Sequence, residues 1–350
     1  MFIDSHVHFR DEEQAHKETI AHALGVARDA GVDAVFDMPN TQRPVLTRGR
    51  VEDRLKLAER ADVPEVFYGT FLGLTSDKEQ IKQAVGAYRA LFPRVVGFKL
   101  YAGHSVGNLG VVSVEEQAVV YETLTSEGYE GVLFVHAEKE REMNAALFKP
   151  ENPISHCLAR PAKAEYESVR DQIALAQKYK FRGKLHIAHI SHASALYLVE
   201  KARRAGLDVS CGACPHHLFY DSLRMKGSNG ILFKMNPPLR LESNRHALLA
   251  ALKGREVNWI ETDHAPHTLG EKTSGSYMSG IPGLPWWPLF EELLREHDFT
   301  DAQIQAVTFD NVAKRFGVDI KRTRKPIRDR RADYPFNPYS GLEAEIGFNF

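Results

Sequence analysis

Short apolar, β-branched runs alternate with longer stretches in which apolar residues recur at i, i+3 and i+4, and the pattern repeats about every thirty residues. The runs predict strands at Met1–Ile3, Val32–Asp37, Glu65–Gly69, Val95–Leu100, Gly131–Val135, Lys184–Ala188, Asp208–Cys211 and Val257–Thr262. The amphipathic stretches between them predict helices at Lys17–Ala30, Glu79–Leu91, Val114–Glu127, Tyr166–Lys178, Ala193–Ala205 and Asn244–Leu252. Roughly eight strands alternating with helices argue for an α/β fold, a parallel sheet closed as a (β/α)8 TIM-type barrel. The structural rival is an open doubly wound sheet. That fold usually carries a Gly-rich phosphate turn after its first strand, and none follows Ile3.

A barrel makes a positional forecast, because its active residues sit at the C-terminal ends of the strands. Chemically versatile residues recur at those places. His6 and His8 follow the first run, two apart, and residues i and i+2 of an extended segment share a face. Asn40 follows the second, Lys99 ends the fourth, His136 the fifth, His189 the sixth and Asp263 the eighth. An isolated His-x-His is a weak signal; its continuation to Arg10 and recurrence at later strand ends favour a metal-dependent hydrolase.

Composition narrows the class. The chain has 350 residues, is 43% hydrophobic and carries a formal net charge of −1. That suffices for one large core and gives no support to nucleic acid or an acidic membrane as partner. No N-terminal stretch reads as a signal peptide and no apolar run is long enough for a bilayer, so the expected location is cytoplasmic. The three cysteines, Cys157, Cys211 and Cys214, suit a reducing compartment. Cys211 and Cys214 form a Cys-x-x-Cys without a second copy, so buried strand positions are expected rather than a structural zinc. The expected organisation is a barrel over residues 1–318 and a C-terminal tail over 319–350, basic at Lys321–Lys325 and Arg328–Arg331 and read as a solvated face.

Imidazole and carboxylate suit zinc and similar divalent ions. His6, His8, His136, His189 and Asp263 are too many ligands for one tetrahedral site that must also hold water, and two ions would use them all. Such a pair needs a bridge. Lys99 stands in the right place, but an ammonium repels cations. Carboxylated by carbon dioxide, its amine would become an anionic carbamate with two oxygens. Taken alone, a strand-end lysine is more often a salt-bridge partner. His186 and His192 read as strand or loop histidines, His217 as a candidate support to the site and His264 as packed beside it. The Gly-rich stretch Ala102–Gly110, with His104, Ser105 and Asn108, reads equally as a lid or a plain loop. Lys17-Glu18 reads as a solvated helix start.

Seven motifs, taken in order, resemble the dihydroorotase family of the amidohydrolase superfamily. They are His6-Val7-His8-Phe9-Arg10, Met38-Pro39-Asn40-Thr41, Phe98-Lys99-Leu100-Tyr101, Val135-His136-Ala137-Glu138, Pro215-His216-His217-Leu218, Asn236-Pro237-Pro238-Leu239-Arg240 and Asp263-His264-Ala265-Pro266-His267-Thr268. The resemblance runs to about Phe316. It implies the reversible interconversion of N-carbamoyl-L-aspartate and L-dihydroorotate in pyrimidine synthesis. It also implies two divalent ions, zinc by expectation. His6 and His8 would hold one and His136 and His189 the other, with a carboxylated Lys99 between them. Asp263 would bind metal and move the proton. Arg10 and Asn40 would hold the substrate carboxylate, with Asn236, His267 and backbone near Ser279-Gly280 also at the substrate. The expected partner is a small-molecule substrate, with neither nucleic acid nor membrane; a homo-oligomer and association with another pathway enzyme both stay open.

Three departures stand out. The accessory β-sandwich common in the superfamily is expected to be largely missing, its other half surviving at most as a remnant in the tail. Gly212 stands where some animal-type relatives carry a glutamate after the cysteine, which puts any extra metal using that glutamate in doubt. Pro285-Trp286-Trp287 has no evident physical reason in the sequence. The rival readings are another cyclic amidase, such as a hydantoinase or allantoinase, and a non-catalytic homologue acting as a scaffold.

Overall fold

In the computed structural model, which describes residues 1–104, 109–321 and 328–350, eight strands pair in sequence order, every pair parallel. They are β1 (Ile3–Val7), β2 (Ala34–Asp37), β3 (Phe67–Gly73), β4 (Val95–Tyr101), β5 (Val132–His136), β6 (Lys184–Ile187), β7 (Val209–Ala213) and β8 (Trp259–Ile260). Six strands fall close to their predicted places. β8 is shorter than the predicted Val257–Thr262, and β1 runs on to Val7, so His6 lies inside it rather than after it. The strands are apolar on both faces because helices cover the outside and side chains fill the inside. Every residue of β4 is buried, Lys99 included.

Closure between β8 and β1 uses few ladder bonds. Val7 bridges His264 in parallel, His8 N–H donates to the His264 carbonyl at 2.8 Å, and Thr262 N–H donates to the Asp4 carboxylate at 3.1 Å. That junction lies immediately beside His6, His8 and Asp263. The flanking helices start at side-chain caps: Thr19 for Ile20–Asp29, Thr47 for Arg48–Arg60, Asp77 for Lys78–Leu91 and Ser113, with a full capping box, for Val114–Ser126.

Two surface readings need correction. Glu18 does not solvate a helix start. It is buried, accepts from the Tyr334 hydroxyl at 2.6 Å, and lies 2.9 Å from Nε2 of His264. Lys17 reaches Glu271 at 2.8 Å. Likewise Arg330 pairs with Asp29 and Asp333, and Arg331 with Asp329 and Glu343, with their side chains 20% and 17% exposed. These arginines therefore tie the tail to the barrel rather than forming a solvated face. Residues 322–327 of the basic run, and Ser105 and Asn108 of the glycine-rich stretch, lie outside the described residues. The tail and Phe2 together explain the tryptophan pair. Trp287 stacks on Phe2, and Trp286 donates its indole N–H to Glu343 at 2.9 Å. Among the described residues no helix is long and apolar enough to cross a membrane.

The segment after β1 is fixed from behind by a buried ion pair. Arg54 is fully buried; it meets Asp37 at 2.6 Å and donates to the carbonyls of Phe9 and Arg10. Asp37 also accepts from the Tyr68 hydroxyl and from the Phe9 N–H. Arg54→Met would leave Asp37 buried without its cation, and should cost about 3–5 kcal/mol in urea unfolding. A loss below about 1 kcal/mol would show that the pair does not support this segment.

Candidate active site and metal centre

A cavity of about 350 Å³ opens at the C-terminal ends of the strands, a size suited to a small molecule. Its walls include every residue expected at the site: His6, His8, Arg10, Asn40, Lys99, His136, His189, Asn236, Asp263, His267 and Gly280. Tyr101, His104, Lys234 and Met278 also line it, and the motif reading did not single these out for the site, except His104 as part of a lid or loop.

On one side His6, His8 and Asp263 place a ligand atom each within 4.8 Å of one another. Asp263 Oδ1 lies 2.9 Å from His8 Nε2 and 3.3 Å from His6 Nε2. The other nitrogen of His8 faces Asn40 Oδ1 at 2.7 Å. A neutral imidazole has one N–H, yet both nitrogens of His8 face oxygen acceptors. On the other side His136 Nδ1 and His189 Nε2 approach to 2.9 Å, while His136 Nε2 meets Glu138 at 3.0 Å. The His6 and His189 rings stand 5.2 Å apart and join the two halves. Lys99 is wholly buried with its Nζ unbonded, 4.6 Å from the centre of the Phe134 ring and 5.0 Å from that of Tyr101.

Burial decides the charges. It lowers His6 to about 4, lowers His8, and lowers His189 further still, so these imidazoles are neutral at physiological pH. Burial pushes Asp263 up, but His6, His8 and His189 outweigh it and hold the carboxyl well below its usual range. Burial brings Lys99 down to about 7. Neutral imidazoles whose Nε2 atoms converge on Asp263 from His6 and His8, the facing His136–His189 pair and an ionised carboxylate are the donor set a divalent cation requires. The residues therefore fit the two ions expected from the sequence.

The backbone is strained at this place. His189 and Asp263 take φ of 37° and 50°, a region that non-glycine residues seldom enter. Gly280 takes φ 124°, and a Cβ there would stand 2.7 Å from that of Ala265. This keeps the backbone beside His267 close to the cavity.

Two carboxylates behind the histidines escaped the sequence reading. Glu261 is fully buried, accepts from His189 N–H at 2.5 Å and from Ser5 Oγ at 3.1 Å, and lies 3.7 Å from His6 Nδ1. A Cβ on Gly212 would come within 2.6 Å of its carboxyl carbon. Glu138 meets His136 and is held by Arg160. Their signal was an acid within two positions of a strand-end ligand, Glu138 after His136 and Glu261 before Asp263. Of the less certain histidines, His186 meets Ser210 and stacks on Trp259, and His192 caps the helix Ala193–Arg204. His217 meets the Pro237 carbonyl and His264 meets Glu18.

Arg10 is 5% exposed on the cavity wall, with its guanidinium 3.1 Å from the His267 ring and 3.4 Å from the Pro266 carbonyl. Of its rival partners near in sequence, Glu12 is taken by Arg50 and Asp11 accepts from backbone N–H groups. Among the described residues no carboxylate stands at ion-pair distance from Arg10.

No family model matches the chain. It is 31% identical over 325 residues to a dihydroorotase of Halobacterium salinarum, an alignment covering 91% of this chain and 72% of that one. The chain belongs to the dihydroorotase family. A dihydroorotase of Thermococcus kodakarensis is 32% identical over 282 residues, covering 81% of this chain and 59% of that one. Such dihydroorotases are metal-dependent hydrolases of the amidohydrolase superfamily. The chain spans from 59% to 72% of the length of the curated dihydroorotases it matches. Among solved structures, the L-hydantoinase of Arthrobacter aurescens superposes with a TM-score of 0.79 at 21% identity, covering 94% of this chain and 74% of that one. A dihydroorotase of Campylobacter jejuni gives 0.69 at 19%, covering 91% and 84%. At these identities the likeness is one of fold.

The buried histidines make stability depend on pH. His6, His186 and His217 lie at about 4 and His156 at about 3, each lowered chiefly by burial. Below pH 6.5 the unfolded chain binds protons that the folded chain refuses. Their contribution is therefore whole above pH 6.5 and lost on acidification. Between pH 6.5 and 5 each such histidine costs about 2 kcal/mol. Asp4, raised to about 7 by burial, and Glu165, also raised, work the other way. The balance predicts a lower urea midpoint for metal-free protein at pH 5.5 than at pH 7.5. A midpoint that rises on acidification would contradict the neutral assignment of these rings.

Proposed function

We propose that this chain catalyses the reversible closure of N-carbamoyl-L-aspartate to L-dihydroorotate, with release of water. The observation that carries the reading is Arg10, a buried cation on the cavity wall with no carboxylate at ion-pair distance among the described residues. A planar guanidinium fork in that position suits a substrate carboxylate. Asn40, Asn236, His267 and the backbone at Gly280 line the same cavity and supply further polar groups for the substrate. The family membership supports the same assignment.

Two divalent cations, zinc by ligand type, would be held by His6, His8 and Asp263 and by His136 and His189. When bound, such ions bring a water's pKa to about 7 and polarise the carbonyl under attack. Lys99 would lie between them as a carbamate. Its Nζ attacks the carbon of carbon dioxide and loses a proton, and the lowered pKa keeps much of the amine in the neutral, nucleophilic form. In the hydrolytic direction Asp263 accepts the proton of the attacking water and delivers it to the ring nitrogen as the C–N bond breaks. In the synthetic direction it takes the proton from the attacking carbamoyl nitrogen and returns it to the departing water. His8, 2.9 Å away, and His6, 3.3 Å away, hold the carboxylate in place, while Glu138 and Glu261 orient the histidine side.

The test of the assignment is Arg10→Met. Its kcat/KM on dihydroorotate should fall by about 3 kcal/mol, the cost of losing one partner of a charge-assisted contact. Turnover of an uncharged hydantoin should change little. An equal loss on both substrates would assign Arg10 to the fold or the metal site and favour a cyclic amidase acting on uncharged rings.

Asp263→Asn should lower kcat by roughly 10²–10⁴-fold while the metal content measured by mass spectrometry falls much less. Near-normal turnover would move the proton transfer elsewhere, with His267 the first residue to examine. Lys99→Ala should abolish activity, short carboxylic acids should restore part of it, and Lys99→Arg should stay inactive. Full activity in Lys99→Ala without added acid would remove the carbamate from the account.

A further inference from the structure

Behind the cavity wall, the turn leaving β7 carries Cys214, Pro215, His216 and His217. Cys214 is wholly buried, and His216 and His217 are 1% and 3% exposed. One ligand atom from each of the three lies within 4.8 Å of the others, and the two rings stand 4.4 Å apart. None of them is among the residues lining the cavity.

The hydrogen bonding of the pair is incomplete in a telling way. His217 Nε2 lies 3.0 Å from the Pro237 carbonyl, which accepts only from an N–H. That fixes the tautomer and leaves Nδ1 as a bare lone pair, buried and without a hydrogen-bond partner. A histidine whose far nitrogen donates to a backbone carbonyl is oriented as metal-binding histidines are. His216 has neither ring nitrogen bonded, though both are buried. Buried polar nitrogens normally find a partner. Here lone pairs stand unmet beside a thiol.

We propose that Cys214, His216 and His217 form a separate binding site for a borderline-soft divalent cation of the zinc or cobalt type. One thiolate and two imidazoles make a donor set for a tetrahedral ion, whose fourth position is left to a further donor. Binding breaks the Cys214 S–H bond, forms a sulfur–metal bond and releases one proton to solvent. The ion would pin the β7 turn, and through His217 it would brace the segment at Pro237, next to Asn236. It is distinct from the proposed catalytic centre in holding sulfur.

Cobalt makes that difference visible, because a thiolate ligand gives Co²⁺ a near-ultraviolet charge-transfer band that imidazole and carboxylate ligands do not. Metal-stripped protein would be reloaded anaerobically with Co²⁺, and its absorption and bound cobalt measured. The wild type should show the band. Cys214→Ala should lose it together with about one equivalent of cobalt per chain. Cys157→Ala and Cys211→Ala should keep both. If Cys214→Ala does not fold, Cys214→Ser serves in its place, and a Cys157→Ala/Cys211→Ala double variant, which keeps Cys214 as its one thiol, should retain the band. A cobalt-loaded wild type without the band, or a band that survives loss of Cys214, would overturn the proposal.

Discussion

The mouth of the barrel depends on one constraint: imidazoles, a carboxylate and an amine are gathered where water is largely excluded. Asp263 is held ionised between His6 and His8, and Lys99 is buried with its amine unbonded. Such a cluster is costly in isolation, because buried polar groups need partners and buried charges need opposite charge. Cations would meet that need, and the surrounding structure is organised around the same place. The β8–β1 closure runs through His8 and His264, and Arg54 secures the chain between His8 and Arg10 from behind.

A second layer of carboxylates turns a group of ligands into an oriented site. Glu138 faces His136, and Glu261 receives the backbone N–H of His189 while lying near His6. Gly212 leaves room for the Glu261 carboxylate; any side chain there would collide with it. The space that Gly212 leaves on β7 is filled by a carboxylate from the residue that follows β8. The left-handed backbone at His189 and Asp263 fits the same picture, since strain of that kind persists only where neighbours over-determine it.

The architecture was legible because apolar runs of strand length alternated regularly with helical periodicity, and that signal does not depend on tertiary detail. Residues at strand ends were legible for a related reason: a barrel brings its C-terminal strand ends together, so His6, Lys99, His136, His189 and Asp263 had to meet if the fold held. What escaped were pairings set by packing. Glu18 looks like a surface acid until Tyr334 and His264 arrive from residues far along the chain. Arg330 and Arg331 look like a basic patch until Asp29 and Glu343 are placed beside them. Trp286 and Trp287 make sense only once the tail and Phe2 are in position.

Crystals grown with zinc present, with diffraction recorded on both sides of the zinc absorption edge, test the central claim most directly. The account predicts two anomalous peaks among His6, His8, His136, His189 and Asp263, with density for a carboxyl group on Lys99 between them. A single peak among these residues, or two peaks there beside a bare amine, would contradict it.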